Sequence, residues 1–237
     1  MTKLNPVTHA GLGWRPPKDF DFARSTSLVS VALAELPRVA QQMPVVFAKD
    51  ECQWRAFCVM GPKTGINVYV SRSGHWRATY VPAVLRAYPF HLQGDERLEL
   101  WQGFAPEPLI CDKIQPFYKN GDLAPRLLET RRFLRNVHAG IAQLHEPLEA
   151  LATAGALFPW TGPALGEANP DLVLTGLYQL DPDRFSACDD SQVLGLFRAG
   201  HLRWLYAHLD SLHHAERFKA LAKDIVAPQL EAPRQPD

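Results

Sequence analysis

"MPVVFAKDECQWRAFCVMG", residues 43 to 61, decides the fold class. Val45, Val46 and Phe47 form one short run rich in β-branched and aromatic side chains, and residues 54–60 form another. Runs of roughly four to eight such residues, bounded by Gly, Pro, Asp or Lys, read as strands. The "KDECQ" connection is too short for a crossover, so the two strands are expected to pair antiparallel.

The same pattern extends outward. "INVYVS" at 66–71 and "HWRATY" at 75–80, joined by "PKTG" and "RSG", predict a continuing meander. "RLELWQGF" at 97–104, "PLIC" at 108–111 and "LVLTGLYQL" at 172–180 predict further strands. Upstream, "SVALAELPRVAQQ" at 30–42 predicts a short helix, with Pro37 tolerable only in its first turn.

Beyond Asp122 the period changes. Asp122 is expected to cap a helix with Pro125 in its first turn, and Leu127, Leu134, Val137, Ile141 and Leu144 fall on one face before Pro147 stops the run. A second helical region spans 189–226, capped by Asp189 or Asp190 and divided at Gly200, with Leu202, Leu205, Tyr206, Leu209 and Leu212 on one arc. The expected fold is α+β: a mainly antiparallel sheet from the N-terminal half, with helices of the C-terminal half packed on it. One domain is expected over residues 1–227, followed by a polar, Pro-rich tail at 228–237.

Composition narrows the function classes. The 237 residues are 46% hydrophobic and 21% charged, which suits a folded globular chain. Lys+Arg and Asp+Glu balance at 25 each, so no long-range attraction to nucleic acid or anionic membrane is expected. The longest uncharged run, residues 150–166, is too short and too broken by Pro159 and Pro163 to span a bilayer. The first 25 residues carry no apolar leader, and the four cysteines (Cys52, Cys58, Cys111 and Cys188) form no CxxC pair. Reduced thiols, no zinc site and a cytoplasmic setting are the resulting expectations.

"GHWRATYVPAVLRAYPFHL", residues 74 to 92, concentrates aromatic and titratable side chains at one corner. A strand ends near Tyr80, Pro82 suits a first helical turn, and Pro89 stops the helix by restricting Tyr88. Aromatic residues at such a corner ordinarily pack a core. The ligand-facing candidates are Arg86, Tyr88 and His91, with Arg86 held in a fixed place between the two prolines.

This corner also carries a resemblance. "YVPAVLRAYPF" at 80–90 resembles the signature of the bacterial SapC-like family. "LAELPRVAQQMPVVF" at 33–47, "LTGLYQLDPDRF" at 174–185 and "LFRAGHLRWLYAHLDSL" at 196–212 resemble its other blocks in the same order. The chain departs from the family pattern in "CDKIQPFYKNGDLAP" at 111–125 and at His213. The resemblance implies an association with surface layers and an accessory role in peptide or protein modification or uptake, with no established activity.

Other motifs yield little chemistry. His138 and His145 lie seven apart, about 10 Å along a helix, too far for one metal without a second element. "AHLDSLHH" at 207–214 cannot make a triad from one helix, and His213 reads as a core histidine on the apolar arc. Cys111, following an apolar run, reads as a buried thiol, and "GPKTG" at 61–65 as a turn rather than a phosphate loop. In "RLLETRRFLR" at 126–135, Arg131, Arg132 and Arg135 read as a solvated face. The favoured function is a binding module working through a protein partner, with Arg86, Tyr88, His91 and His208 as its candidate residues. The alternative is an enzyme whose residues, such as His91, Asp112 and His208, converge from distant segments. Neither reading calls for a metal or cofactor, and the oligomeric state is not indicated.

Overall fold

The structure, a computed structural model, describes residues 2–93, 97–162, 174–214, 217–218 and 220–222. The first half contains β1 (Thr2–Lys3), β2 (Leu12–Trp14), β3 (Leu28–Ser30), α1 (Leu36–Ala40), β4 (Val45–Asp50), β5 (Gln53–Val59), α2 (Ala83–Arg86), β6 (Phe90–Gln93) and β7 (Arg97–Leu100). Four two-residue strands follow: β8 (Glu107–Pro108), β9 (Gln115–Pro116), β10 (Tyr118–Lys119) and β11 (Asp122–Leu123). The rest is α3 (Pro125–Ala142), α4 (His145–Thr153), β12 (Leu157–Pro159), β13 (Tyr178–Leu180), α5 (Pro182–Ser186), α6 (Asp190–Arg198) and α7 (Leu202–Ser211). The strand pairs are antiparallel and the longer helices come late, so the class is α+β.

Contacts divide the chain into two units, residues 1–18 with 83–139 and residues 19–82 with 140–237. The second unit is built on a five-stranded sheet of order β12-β13-β4-β5-β3. Its centre is the β4–β5 hairpin, registered from Val45↔Cys58 to Asp50↔Gln53. The two residues of the turn, Glu51 and Cys52, both have positive φ, at 46° and 70°. That is the type I′ pattern, whose twist matches the flanking strands. Along β5, Trp54, Ala56 and Cys58 are buried while Arg55 and Phe57 are less so, the period-2 pattern of a half-buried strand. Helix α4 packs on β5, and α7 packs on α1, β4 and β13 through buried Trp204, Leu205 and His208.

Helix α6 ends as the sequence suggests. Gly200, at φ 75°, lets the chain turn into the left-handed region. His201 N–H then donates to Leu196 O and Gly200 N–H to Phe197 O, which closes a Schellman motif.

The first unit holds two three-stranded sheets, β1-β7-β6 and β8-β2-β9, the β10–β11 hairpin, α2 and most of α3. Trp14, Phe90, Leu92, Leu98, Leu100, Phe117, Leu127 and Leu134 form its core. Trp14 meets Phe90 edge-on at 4.9 Å between ring centroids. Beside Trp14, Gly13 leaves no room for a side chain: a Cβ there would sit 2.3 Å from Gln115 O.

Several expected elements differ. "INVYVS" is buried but not a strand, because the Asn67 side chain takes Tyr69 N–H and donates to Ala23 O, bending the backbone out of extension. "HWRATY" keeps one bridge, Val70↔Trp76, around a tight turn at 71–74. The 30–42 helix shrinks to α1, with Pro37 in its first turn as expected. "PLIC" contributes only Pro108 to a strand, and Cys111 is exposed rather than buried. Asp122 pairs with Lys119 in a hairpin, so α3 begins without it, at Pro125. Pro147 does not end a helix but sits in the first turn of α4, where its missing N–H has no intrahelical acceptor to lose. His213 is exposed, because α7 ends at Ser211 and a 3-10 turn breaks the helical arc. Part of "LVLTGLYQL", the end of the 189–226 region and the 228–237 tail lie outside the described residues.

Candidate functional site

Within the first unit, residues 86–90 and α3 form the walls of a cleft of about 230 Å³. Four of its residues, Arg126, Glu129, Thr130 and Phe133, come from α3. Their spacing of three, four and seven puts them on one stripe of the helix. Leu127 and Leu134 lie on another stripe and anchor α3 in the core. The opposite wall is Arg86, Ala87, Tyr88 and Phe90, and Trp14 completes the lining.

The two cations are each laid over a ring. Arg86 Cζ lies 5.3 Å from the centroid of Phe133, and Arg126 Cζ lies 5.6 Å from that of Trp14. Stacking of this kind orders a long side chain. Trp14 is 6% exposed, and its Nε1–H is buried without a hydrogen-bond partner. Among the described residues Trp54 Nε1 shares that state, but its ring packs between Lys49 and Tyr178 in the second unit. Tyr88 is half-buried, edge-on to Trp101 at 5.4 Å and to Phe104 at 5.9 Å, and burial raises its phenol pKa. Thr130 Oγ1 donates to Arg126 O at 2.9 Å, which supports the first turns of α3.

Arg86 and Tyr88, both singled out from sequence, therefore meet at one cleft. His91 lies one residue past Phe90 and is not among the cleft's lining residues. It stands opposite Glu99 in the β6–β7 register, and its ring centroid is 5.9 Å from that of His138. Glu99 is buried, and the Gln93 amide, with its nitrogen toward Glu99, donates to both carboxylate oxygens at 2.6 and 3.0 Å. Desolvation lowers the His91 pKa, against the opposing pull of Glu99. Asp112 lies elsewhere in this unit, beside exposed Cys111. Cys111 Sγ is 3.8 Å from Arg15 Nη2, while Arg15 Nε donates to Glu107 at 2.9 Å.

His208 belongs to the second unit and is fully buried. Leu180 N–H donates to its Nε2 at 3.0 Å, which leaves Nδ1 protonated to donate to Val45 O at 2.8 Å. Ser211 Oγ accepts from Val45 N at 2.9 Å. One turn of α7 thus satisfies both backbone groups of Val45 and ties β4 to β13.

Sequence reasoning missed Trp14, Arg126 and Phe133. The usable signal lay inside "RLLETRRFLR": its stripe is 126, 129, 130 and 133, not the arginines at 131, 132 and 135. Among the described residues no group of three or more His, Cys, Asp or Glu is arranged to hold a metal, and no helix is long and apolar enough to cross a membrane. A family model described as SapC matches residues 4–218. Comparison with curated proteins and with solved structures gives no significant match.

Proposed function

The chain belongs to the SapC family, and on that premise we propose that it is an accessory binding protein whose first unit recognises a protein partner through the Arg86–Arg126 cleft. One observation carries this reading: two guanidiniums, each ordered over an aromatic ring, flank a small cleft lined by Trp14, Tyr88, Phe90 and Phe133. Aromatic and Arg groups clustered around a small pocket that a partner can desolvate are the typical content of an interface hot spot. A link to surface layers or to peptide and protein modification systems, and a cytoplasmic setting, fit this role.

The test is a photo-crosslinking residue at Thr130, with one at Leu194 of the second unit as control. A partner captured only from Thr130 is then purified, and its affinity measured. Arg86→Ala combined with Arg126→Ala should weaken that affinity at least tenfold while thermal melts stay near wild type. Equal capture at both positions, or unchanged affinity, would sink the reading.

A second reading, an enzyme, is favoured by one cluster: buried Glu99 facing His91, with His138 beside it. Turnover of p-nitrophenyl esters or phosphates that disappears in His91→Gln supports it. Turnover that is absent, or unchanged in that variant, counts against it.

A further inference from the structure

Independently of the cleft, we infer that helix α6 of the second unit is the contact face of a two-fold dimer of this chain, with two copies of α6 lying antiparallel and Leu194 on the axis. The first ground is how little of α6 its own fold covers. Of its nine residues only Leu196 is buried and Val193 half-buried. Those two face α4 and α5, where Ala150, Leu151 and Phe185 line an apolar groove with them. A surface helix is ordinarily polar on its opposite side. Here the opposite side carries Leu194 and Phe197, which are 45% and 63% exposed. At 100° per residue, Asp190, Leu194, Phe197 and Arg198 share one arc, so the two apolar side chains form one patch with a charge of opposite sign at each end. An apolar patch with a polar rim is the usual mark of an interaction surface.

Charge selects the occupant. Asp190 lies in the first turn of α6 and Arg198 in the last. Each is four residues from Leu194, or about 6 Å along the helix. Among the described residues neither has an ion-pair partner of its own. A two-fold axis through Leu194 sets Asp190 of each copy beside Arg198 of the other, and Leu194 against Leu194. This is the self-complementary pattern of an isologous interface, in which one residue meets a second and the second meets the first. The antiparallel pair also sets the positive end of each helix dipole beside the negative end of the other. A parallel pair would oppose Asp190 to Asp190 and Arg198 to Arg198. A second copy of the chain brings both charges at the matching spacing.

Gly195 adds a third ground. A Cβ there would meet nothing within 4 Å. The chain's own packing therefore does not call for a glycine in mid-helix, where it weakens the helix relative to Ala. Beside Leu194 it lets a second backbone come close. The helix is only about 14 Å long, which puts the contact at the small, transient end of interfaces. The expected dissociation constant is roughly 10 μM to 1 mM.

Sedimentation equilibrium of the purified full chain over roughly that range tests this. Wild type should pass from monomer to dimer, and Leu194→Asp should weaken association at least tenfold. Arg198→Glu and Asp190→Lys each put like charges face to face at both ends, so each alone should also weaken it at least tenfold. Mixing these two variants restores opposite charges at both ends, and the mixture should associate at least fivefold more tightly than either component. Thermal melts at the lowest concentration should stay near wild type, and Leu194→Gln replaces Leu194→Asp if the latter unfolds. The inference is overturned if wild type stays monomeric throughout, if the Leu194 variant still dimerises as wild type does, or if the mixture associates no better than its components. A crosslinker at Leu194 should give a covalent dimer of this chain from purified protein alone, whereas capture at Thr130 needs a second protein, so the two readings fail separately.

Discussion

His208 joins two strands with one ring, and that role sets a pH dependence. Its Nε2 must stay unprotonated to accept Leu180 N–H, and burial holds its pKa down, from 6.5 to about 4. The unfolded chain therefore binds a proton that the folded chain refuses. Stability from this group is fully present above the unfolded pKa and is lost as pH falls from about 6.5 toward about 4. Between pH 7 and pH 5 the loss from this one group is roughly 2 kcal/mol. Denaturant melts of wild type and His208→Gln at both pH values test this. The variant should be weaker at pH 7 by roughly 1–3 kcal/mol yet lose less between the two pH values. Lowered values at His91 and His201 are common to both proteins and cancel in the comparison. Equal losses would show that another group sets the acid sensitivity. At Arg86 the balance differs, because this side chain is exposed over Phe133. Exposed stacking of this kind is worth about 0.5–1 kcal/mol, so losing it in Arg86→Lys should cost about that much in a urea melt while weakening affinity for the partner captured at Thr130. A larger loss of stability would make Arg86 a structural residue first.

At the scale of elements, the β4–β5 hairpin places two side-chain-bearing residues where glycine or asparagine is usual. Glu51 and Cys52 sit at positive φ because a two-residue turn between twisted strands demands it, whatever the sequence. Replacing the pair by Asn-Gly (Glu51→Asn with Cys52→Gly) should stabilise by about 0.5–2 kcal/mol, seen as a higher denaturant midpoint at unchanged slope. No gain, or a loss, would mean that the strands fix the turn against its own preference. This hairpin was legible because its signal is local: two β-rich runs and a connection too short for anything else. The Gly200 break and the Pro37 turn were legible for the same reason. "INVYVS" was not, since its composition is that of a strand and only a side chain finding Ala23 O, 44 residues away, redirects it. Half of the cleft was legible as well, through the rigid corner holding Arg86 and Tyr88. The other half arrives from Trp14 and from α3, brought in by packing against Phe90 and Leu127 that no local pattern announces.

Over the whole molecule, the four thiols form a graded set of probes. Cys52 lies exposed at the β4–β5 turn, and Cys111 lies exposed in the first unit. Cys188 is half-buried, with its S–H 3.5 Å from Arg184 O. Cys58 is wholly buried in β5 against Met43 Sδ at 3.3 Å, and desolvation first, then the charge of Glu35, pushes its pKa far up. Thiolate is the reactive form and a reagent must reach it, so reactivity should follow this order of exposure, with buried Cys58 last. Titration of the native protein with a disulfide reagent should show two fast thiols and a slower third. The fourth should appear only when denaturant opens the sheet of the second unit. The hairpin variant supplies an internal check, because Cys52→Gly must remove one of the two fast thiols and leave the fourth as slow as before. Because Cys58 pairs with both Val29 and Val45 across the ladder, its release requires β5 to part from its neighbours. The rate at which the fourth thiol appears should therefore match the unfolding rate of the second unit seen by tryptophan fluorescence. Rapid reaction of all four thiols in the native protein would mean that this sheet opens locally, and that the burial of Cys58 does not report cooperative unfolding.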